Sequence, residues 1–533
     1  MKTCSLRASF VSGFVSGVLL FVLAFLLQAH VQAAPAGKLP AAVSAELERA
    51  RIPMNSVAVW VQSVDAKQPV LALNAERPMN PASVMKVVTS FAALEVLGPE
   101  RTWTTRIATS GVLREDGVLV GNVYLLGDGD PVLTYERLWR ILRRLRGLGF
   151  SAIEGDIVLD HSALALPEHD PNAFDNRGLR PYNSGGSGLL IHFNTQELVL
   201  FPGSRVQDAV RLVAEPPLAG VEIDNQIVTS GRSCEPWFRD LDAQMDNKGR
   251  LTLTGSLPAD CGPRIWATSP LAPPDYGVAM VRALWRELGG TVRGQVRSGV
   301  TPVDAQVLIS DESMPLGEIV RTMNKWSSNV IARQLLAQVG RAGLLSAAAG
   351  TEGNTLADSA SSVPVDMVAI GNKVARQCLA KADIEVSGLE IDNGSGLSRN
   401  ASIRADSLGT LLIRAWQRSW MPDFIASLPV AGRDGTARRR LNNSPARGQA
   451  HLKTGTINDV RSVAGYVLDQ NGHRHAVVMT INHPEAANSQ KAQDALIEWI
   501  WSGMPQASPQ SVPPRGKQQA TPKKPASPSR GKR

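Results

Sequence analysis

Ser83 and Lys86 stand three residues apart in MNPASVMKVVTSFAALEVLG, Met79 to Gly98. On a helix that spacing puts a hydroxyl and an amine one turn apart on one face. A serine hydroxyl attacks a carbonyl well only when a base takes its proton, and a lysine held out of water gives up its own proton readily enough to be that base. The neighbouring residues favour such a setting. After Pro81, a helix-start signal, Val84, Met85, Val87, Val88, Phe91, Leu94, Val96 and Leu97 leave almost no solvent-facing stripe. The segment is expected to be a core helix, in which a lysine either meets a carboxylate or stays partly neutral to accept a proton. Ser83 falls at its start, where unpaired N–H groups and the helix dipole favour an oxyanion. A second Ser-x-x-Lys, Ser529 with Lys532, lies in a Pro- and Lys-rich stretch and has neither feature.

Two further clusters carry compatible chemistry. Ser327, Ser328 and Asn329 in MNKWSSNVIARQLL head another apolar helix. Ser398 and Asn400 repeat the Ser-x-Asn spacing, but small polar residues between Trp326 and an apolar helix are better placed to line a cleft. Lys453, Thr454, Gly455 and Thr456 in HLKTGTIND precede a C-terminal hairpin. A glycine there lets a substrate approach the backbone, the two hydroxyls can hold a carboxylate, and the lysine adds positive potential. A Ser-His-Asp hydrolase is the rival, yet no Gly-x-Ser-x-Gly elbow occurs, and His473 and His475 read as satisfied strand residues. Four scattered cysteines with no close pair make no zinc site, and neither metal nor cofactor is expected.

The elements that must position these residues follow from patterning. RIATSGVLREDGVLVGNVYLLGDGDPVLT, Arg106 to Thr134, alternates apolar residues with glycine turns, as antiparallel strands do. YERLWRILRRLRGLGF predicts an amphipathic helix through Leu138, Ile141, Leu142 and Leu145. From about Tyr182 to Cys261 the runs are short and strand-like, as in ELVLFPG, VRLVAE and GRLTLTGSL. Helices return with SMPLGEIVRTMNKW. A hairpin about Asn471-Gly472 and a last helix, SQKAQDALIEWIWSGM, follow. One α/β domain interrupted by a long β-rich insertion accounts for this order.

At 533 residues two or three domains are expected. The net charge of +8 sits at the ends: seven positive residues, Arg515 to Arg533, occupy a tail without acids, and Lys2 and Arg7 precede an apolar run. The body is close to neutral, which argues against nucleic acid as a partner. The first 33 residues read as a secretory signal with small residues about Val31 to Ala33, an uncleaved anchor being the alternative. Export to the periplasm makes a Cys234–Cys261 disulfide feasible, while Cys378 reads as a buried helical thiol. The tail after Met504 is predicted to be disordered, and its charge suits either association with an anionic surface or a solubilising appendage.

Taken in order, Ser-x-x-Lys, Ser-x-Asn and Lys-Thr-Gly are the motifs of the penicillin-recognising serine acyltransferases. The chain resembles class C low-molecular-mass penicillin-binding proteins, the D-alanyl-D-alanine carboxypeptidase/endopeptidases of the penicillin-binding protein 4 type. The 244 residues from Ser83 to Ser327 match that family's long insertion, and LLGDGDPVLT, IEGDIVLDHSAL, DNGSGLSRN and VAGRDGTARRRL resemble its recurrent segments. The resemblance spans about Leu39 to Gly503. It implies an α+β sandwich domain of the penicillin-binding, β-lactamase-like transpeptidase class in 36–104 and 302–503, an inserted domain in 105–180 and 263–301, a nested β-rich domain in 181–262, and a tail in 504–533. It implies Ser83 as nucleophile, Lys86 as base, Ser327 as proton relay, Asn329 as orienting amide and Lys453 to Thr456 as substrate holders. Peptidoglycan stem peptides and cross-links become the expected substrates and β-lactams the inhibitors. A β-lactamase-like hydrolase, or a non-catalytic murein-binding protein of the same fold, is the alternative. An acidic residue that faces the stem in relatives has no clear counterpart, Asp175 being a weak candidate.

Overall fold

The computed structural model describes residues 37–349 and 365–504. The expected export signal and the basic tail, with Ser529 and Lys532, lie outside them.

Val57–Ser63 reads VAVWVQS, and its first six residues are buried. Side chains alternate in direction along a strand, so an unbroken apolar run requires cover on both faces. Val57, Val59 and Val61 enter one hydrophobic core, Ala58 and Trp60 another. The strand pairs antiparallel with Leu71–Leu73 on one side and with Arg474–Asn482 on the other. The sheet continues through Val460–Leu468 to Ala450–Ile457 at its edge. Helices Ala41–Arg49 and Gln490–Trp501 cover one face, through Val43, Leu47, Leu496 and Ile500. On the other face lies the helix Met85–Leu97, buried at every position from Met85 to Leu94. Around it pack helices Leu316–Trp326, Asn329–Ala349, Met367–Lys381 and Ala405–Trp416. The opening serine and lysine therefore sit at the centre of the sandwich, next to the sheet edge.

The chain leaves this core along Thr104–Thr109 and returns along Gln306–Glu312, and the two strands pair antiparallel with Thr104 opposite Glu312. Residues 306–312 fall after the expected boundary at 302. They belong to the sheet of the insertion, and Ile309 packs in its core. Short strands with one apolar face carry too weak a pattern to mark that boundary. The Arg106 to Thr134 run does form antiparallel pairs, Thr104–Thr109 with Val123–Leu126 and Val112–Leu113 with Val118–Val120. It also forms parallel ones that were not expected: Val123–Leu126 with Ile157–Asp160, and Val118–Val120 with Ala152–Ile153. The helix Tyr135–Gly147 supplies the crossover that parallel strands need, burying Leu138, Ile141, Leu142 and Leu145.

The nested block builds a small core on Leu198, Leu200, Leu251, Leu253, Leu257 and Trp266. Arg264–Thr268 pairs with Gln196–Phe201 inside it, one strand beyond the expected limit at 262. Cys234 and Cys261 are joined with Cα atoms 4.9 Å apart. Cys378 is buried and free, and burial pushes its thiol up to about 11. Among the described residues no helix is long and apolar enough to cross a membrane.

Candidate active site

Ser83 lies in a 3-10 turn, Ala82–Val84, that runs directly into the helix Met85–Leu97. Ala82 is left-handed, with φ 45°, a conformation that costs a non-glycine residue about 1–3 kcal/mol and persists only where neighbours enforce it. The neighbours are visible. Asn80 Oδ1 accepts from Ala82 N at 2.9 Å. Asn80 N donates to Asn482 Oδ1 at 2.9 Å, and Asn482 Nδ2 donates back to Asn80 O at 3.0 Å. The closing strand thus holds the serine turn. Gly455 supplies the remaining clearance: a Cβ there would stand 2.5 Å from Pro81 O and 3.0 Å from Ser83 N. That glycine is needed for the approach of the serine turn itself, besides any substrate.

Lys86 is fully buried. Its Nζ lies 3.1 Å from Ser83 Oγ, 2.6 Å from Asn329 Oδ1 and 2.6 Å from the Ser395 carbonyl oxygen. Two of these partners can only accept. A neutral amine has two N–H donors and one lone pair, so it can donate to both carbonyl oxygens and accept the serine O–H. Burial holds the Lys86 pKa well below the ordinary lysine value, and the cations Lys453 and Arg333 lower it further.

Ser327 ends the helix Leu316–Trp326 in a left-handed conformation, φ 58°, and Asn329 begins the next helix. The Ser-x-Asn residues therefore sit in the kink between two helices. Lys453, fully buried in the edge strand, places Nζ 2.9 Å from Ser327 Oγ and donates to the Thr454 carbonyl at 2.8 Å. Burial lowers its pKa to about 7. Along this strand Leu452 N donates outward to Pro429 O at 2.7 Å. Amide direction alternates residue by residue, so the N–H groups of Thr454 and Thr456 face the same open edge. Thr454 Oγ1 is 3.1 Å from Thr436 Oγ1, and Thr456 is exposed.

The other candidates fall elsewhere. Ser398 Oγ accepts from the backbone of Asn400 and Ala401, which makes the second Ser-x-Asn a turn cap. His475 is buried on Asp469 at 3.0 Å. Asp175 spends its carboxylate on the Tyr182 hydroxyl at 2.9 Å and on Asn183 Nδ2 at 2.7 Å, so it is tied within the insertion. Five participants were not singled out in the sequence: the Ser395 carbonyl on Lys86, the Tyr182 carbonyl on Asn329 Nδ2 at 2.9 Å, the Arg333 guanidinium beside it, and Asn80 and Asn482. DNGSGLSRN, which contains Ser395, was the available signal. Among the described residues no group of three or more His, Cys, Asp or Glu could hold a metal ion.

The chain matches the D-Ala-D-Ala carboxypeptidase 3 (S13) family over residues 39–502. It is 30% identical to a D-alanyl-D-alanine carboxypeptidase of Actinomadura sp. (strain R39) over 78% of this chain and 76% of that one. With the D-alanyl-D-alanine carboxypeptidase DacB of Haemophilus influenzae the identity is 24%, over 80% and 85%. The crystal structure of penicillin binding protein 4 from Haemophilus influenzae superposes with a TM-score of 0.70 at 23% identity, covering 86% of this chain and 99% of that one, and shares its fold.

Proposed function

The chain belongs to the D-Ala-D-Ala carboxypeptidase 3 (S13) family and is a serine D-alanyl-D-alanine carboxypeptidase; we propose that Ser83 is its nucleophile and Lys86 the base that activates it. The observation that carries this reading is the contact of a fully buried lysine amine with the serine hydroxyl at 3.1 Å, its other two partners being carbonyl oxygens. Neutral Lys86 takes the Ser83 proton as Oγ attacks the carbonyl of the penultimate D-alanine. The negative oxygen that develops meets the N–H groups of Ser83 and Thr456, worth about 3–4 kcal/mol per donor. Ser327 passes its proton to the leaving D-alanine nitrogen while taking one from Lys453 Nζ, which donates to it, and the amide bond breaks. Lys453, Thr454 and Thr456 hold the terminal carboxylate. Water then attacks the acyl-enzyme, giving up a proton that returns to Lys453 through Ser327; the ester bond breaks as Lys86 hands its proton back to Ser83 Oγ, releasing the shortened stem and restoring the Ser83 hydroxyl.

The same chemistry extends to D-alanyl cross-links, which present a substituted amine as leaving group. The apolar N-terminal run supports work outside the cytoplasmic membrane, and the seven positive charges of the tail support salt-sensitive association with anionic wall polymer. A test is digestion of a pentapeptide stem and of cross-linked dimers with EDTA present. Free D-alanine and monomers should both appear. Dimers that persist while pentapeptide is trimmed would remove the endopeptidase part, and no D-alanine release would remove the assignment of Ser83 and Lys86 to turnover.

A further inference from the structure

The amide of Asn329 can present either its oxygen or its nitrogen to Lys86, and the two choices differ chemically. Oδ1 toward Lys86 accepts an N–H and leaves the lysine lone pair for Ser83, whereas Nδ2 there would compete for that lone pair. The side chain is set by its other end: Nδ2 donates to the Tyr182 carbonyl at 2.9 Å, and Oδ1 sits 2.6 Å from Lys86 Nζ. Tyr182 lies in the insertion, 147 residues from Asn329 in sequence. Its main chain is gripped from the catalytic side. Arg333, one turn beyond Asn329 on the same helix, directs Nη1 at the Tyr182 carbonyl at 3.4 Å and also at the Ser184 carbonyl. Between them, His169 Nε2 lies 2.5 Å from the Asn183 carbonyl.

We propose that Arg333 is a positioning residue of the acyl-transfer site, clamping the Tyr182–Ser184 main chain of the insertion so that the Tyr182 carbonyl fixes the Asn329 amide with its oxygen on Lys86. The guanidinium makes no ion pair with a carboxylate among the described residues; its hydrogen-bond partners are the neutral carbonyls of Tyr182 and Ser184. Holding a half-buried cation on such terms is costly, and here it does two things for Lys86. It orients Asn329, and it adds positive charge beside an amine that must shed a proton. The groups that face Lys86 are Ser83 from its own helical turn, Asn329 and Arg333 from the following helix, Lys453 from the edge strand with Ser327 hydrogen-bonded to it, and the Ser395 carbonyl; Asp392 offsets part of the Arg333 charge.

The inference rests on Lys86 as the base, and its test separates the two. The second-order rate of acylation by penicillin is measured across pH for the full chain, for Arg333→Gln and for Arg333→Lys, with Tm as the check on folding. The glutamine removes the charge and the fork, so the acid limb should move to higher pH and the rate on that limb should fall about tenfold. The lysine keeps the charge but cannot bridge two carbonyls, so the limb should stay while the plateau rate falls severalfold. A folded Arg333→Gln protein with an unmoved limb overturns the proposal, as does an Arg333→Lys protein that matches the parent in rate. The lysine variant decides alone where the glutamine variant does not fold. Undiminished acylation in Lys86→Ala would instead remove the base assignment, whatever Arg333 does.

Discussion

Lys86 and Lys325 are buried lysines on two helices that pack against each other, and their surroundings differ in one respect. Lys325 donates to Asp434 Oδ2 at 2.7 Å and to the Leu428 carbonyl at 2.7 Å. Burial lowers its pKa, and the Asp434 carboxylate pulls back toward the charged form. Among the described residues no carboxylate contacts Lys86, and its neighbouring charges, Lys453 and Arg333, are positive. The Asp434 carboxylate favours the charged form of Lys325, whereas the charges that act on Lys86 disfavour its charged form. On the proposed reading of Lys86, the presence of a carboxylate decides between structure and chemistry.

Exchanging each lysine for methionine should separate these roles. Lys86→Met should lower acylation by penicillin about a thousandfold while Tm stays within a few degrees. Lys325→Met should keep acylation within about tenfold and cost about 1–3 kcal/mol, because it leaves Asp434 unpaired at a site where that carboxylate is partly exposed. The opposite pattern, a slow Lys325 variant beside an active Lys86 variant, would dissolve the comparison.

A smaller effect concerns pH. The folded pKa of Lys453, about 7, lies below the unfolded value near 10.5. Between those values the unfolded chain holds a proton that the folded one lacks, so stability must rise with pH across that window; below about pH 7 both states hold it and the full penalty remains. From pH 7 to pH 9 this group should contribute roughly 2 kcal/mol of added stability, seen as a slope in urea midpoints that flattens in Lys453→Met. An equal slope in both proteins would show that Lys453 is charged in the fold.

The smallest effect on acylation is expected from the nested module, whose Cys234–Cys261 bond lies in a core of its own. Cys234→Ser with Cys261→Ser should lower the stability of that module by about 2–4 kcal/mol and leave acylation by a small β-lactam unchanged. A matching loss of acylation would show that the module reaches the catalytic centre.

What could be read from the chain follows the same division. Ser83, Lys86, Ser327, Asn329 and Lys453 announce themselves because each is a reactive side chain on a strongly patterned element. Ser395 and Tyr182 act through main-chain carbonyls, which every residue possesses, across separations of 309 and 147 residues. No residue type marks that use. Arg333 has no motif to mark it and is recognised only by the Tyr182 and Ser184 carbonyls on it, and Asp175, a weak candidate from sequence, is held by Tyr182 and Asn183. Past the expected limits at 302 and 262 come short strands, Gln306–Glu312 and Arg264–Thr268, whose partners lie far away in sequence.

The most direct test of Lys86 as the amine that deprotonates Ser83 is the mass of the intact protein after reaction with penicillin, followed by peptide mapping. One ligand should add, on the Ser83 peptide; Ser83→Ala should take up none, and Lys86→Ala, still folded, should take it up far more slowly. An adduct on another serine, or labelling of Lys86→Ala at the parent rate, would contradict the account.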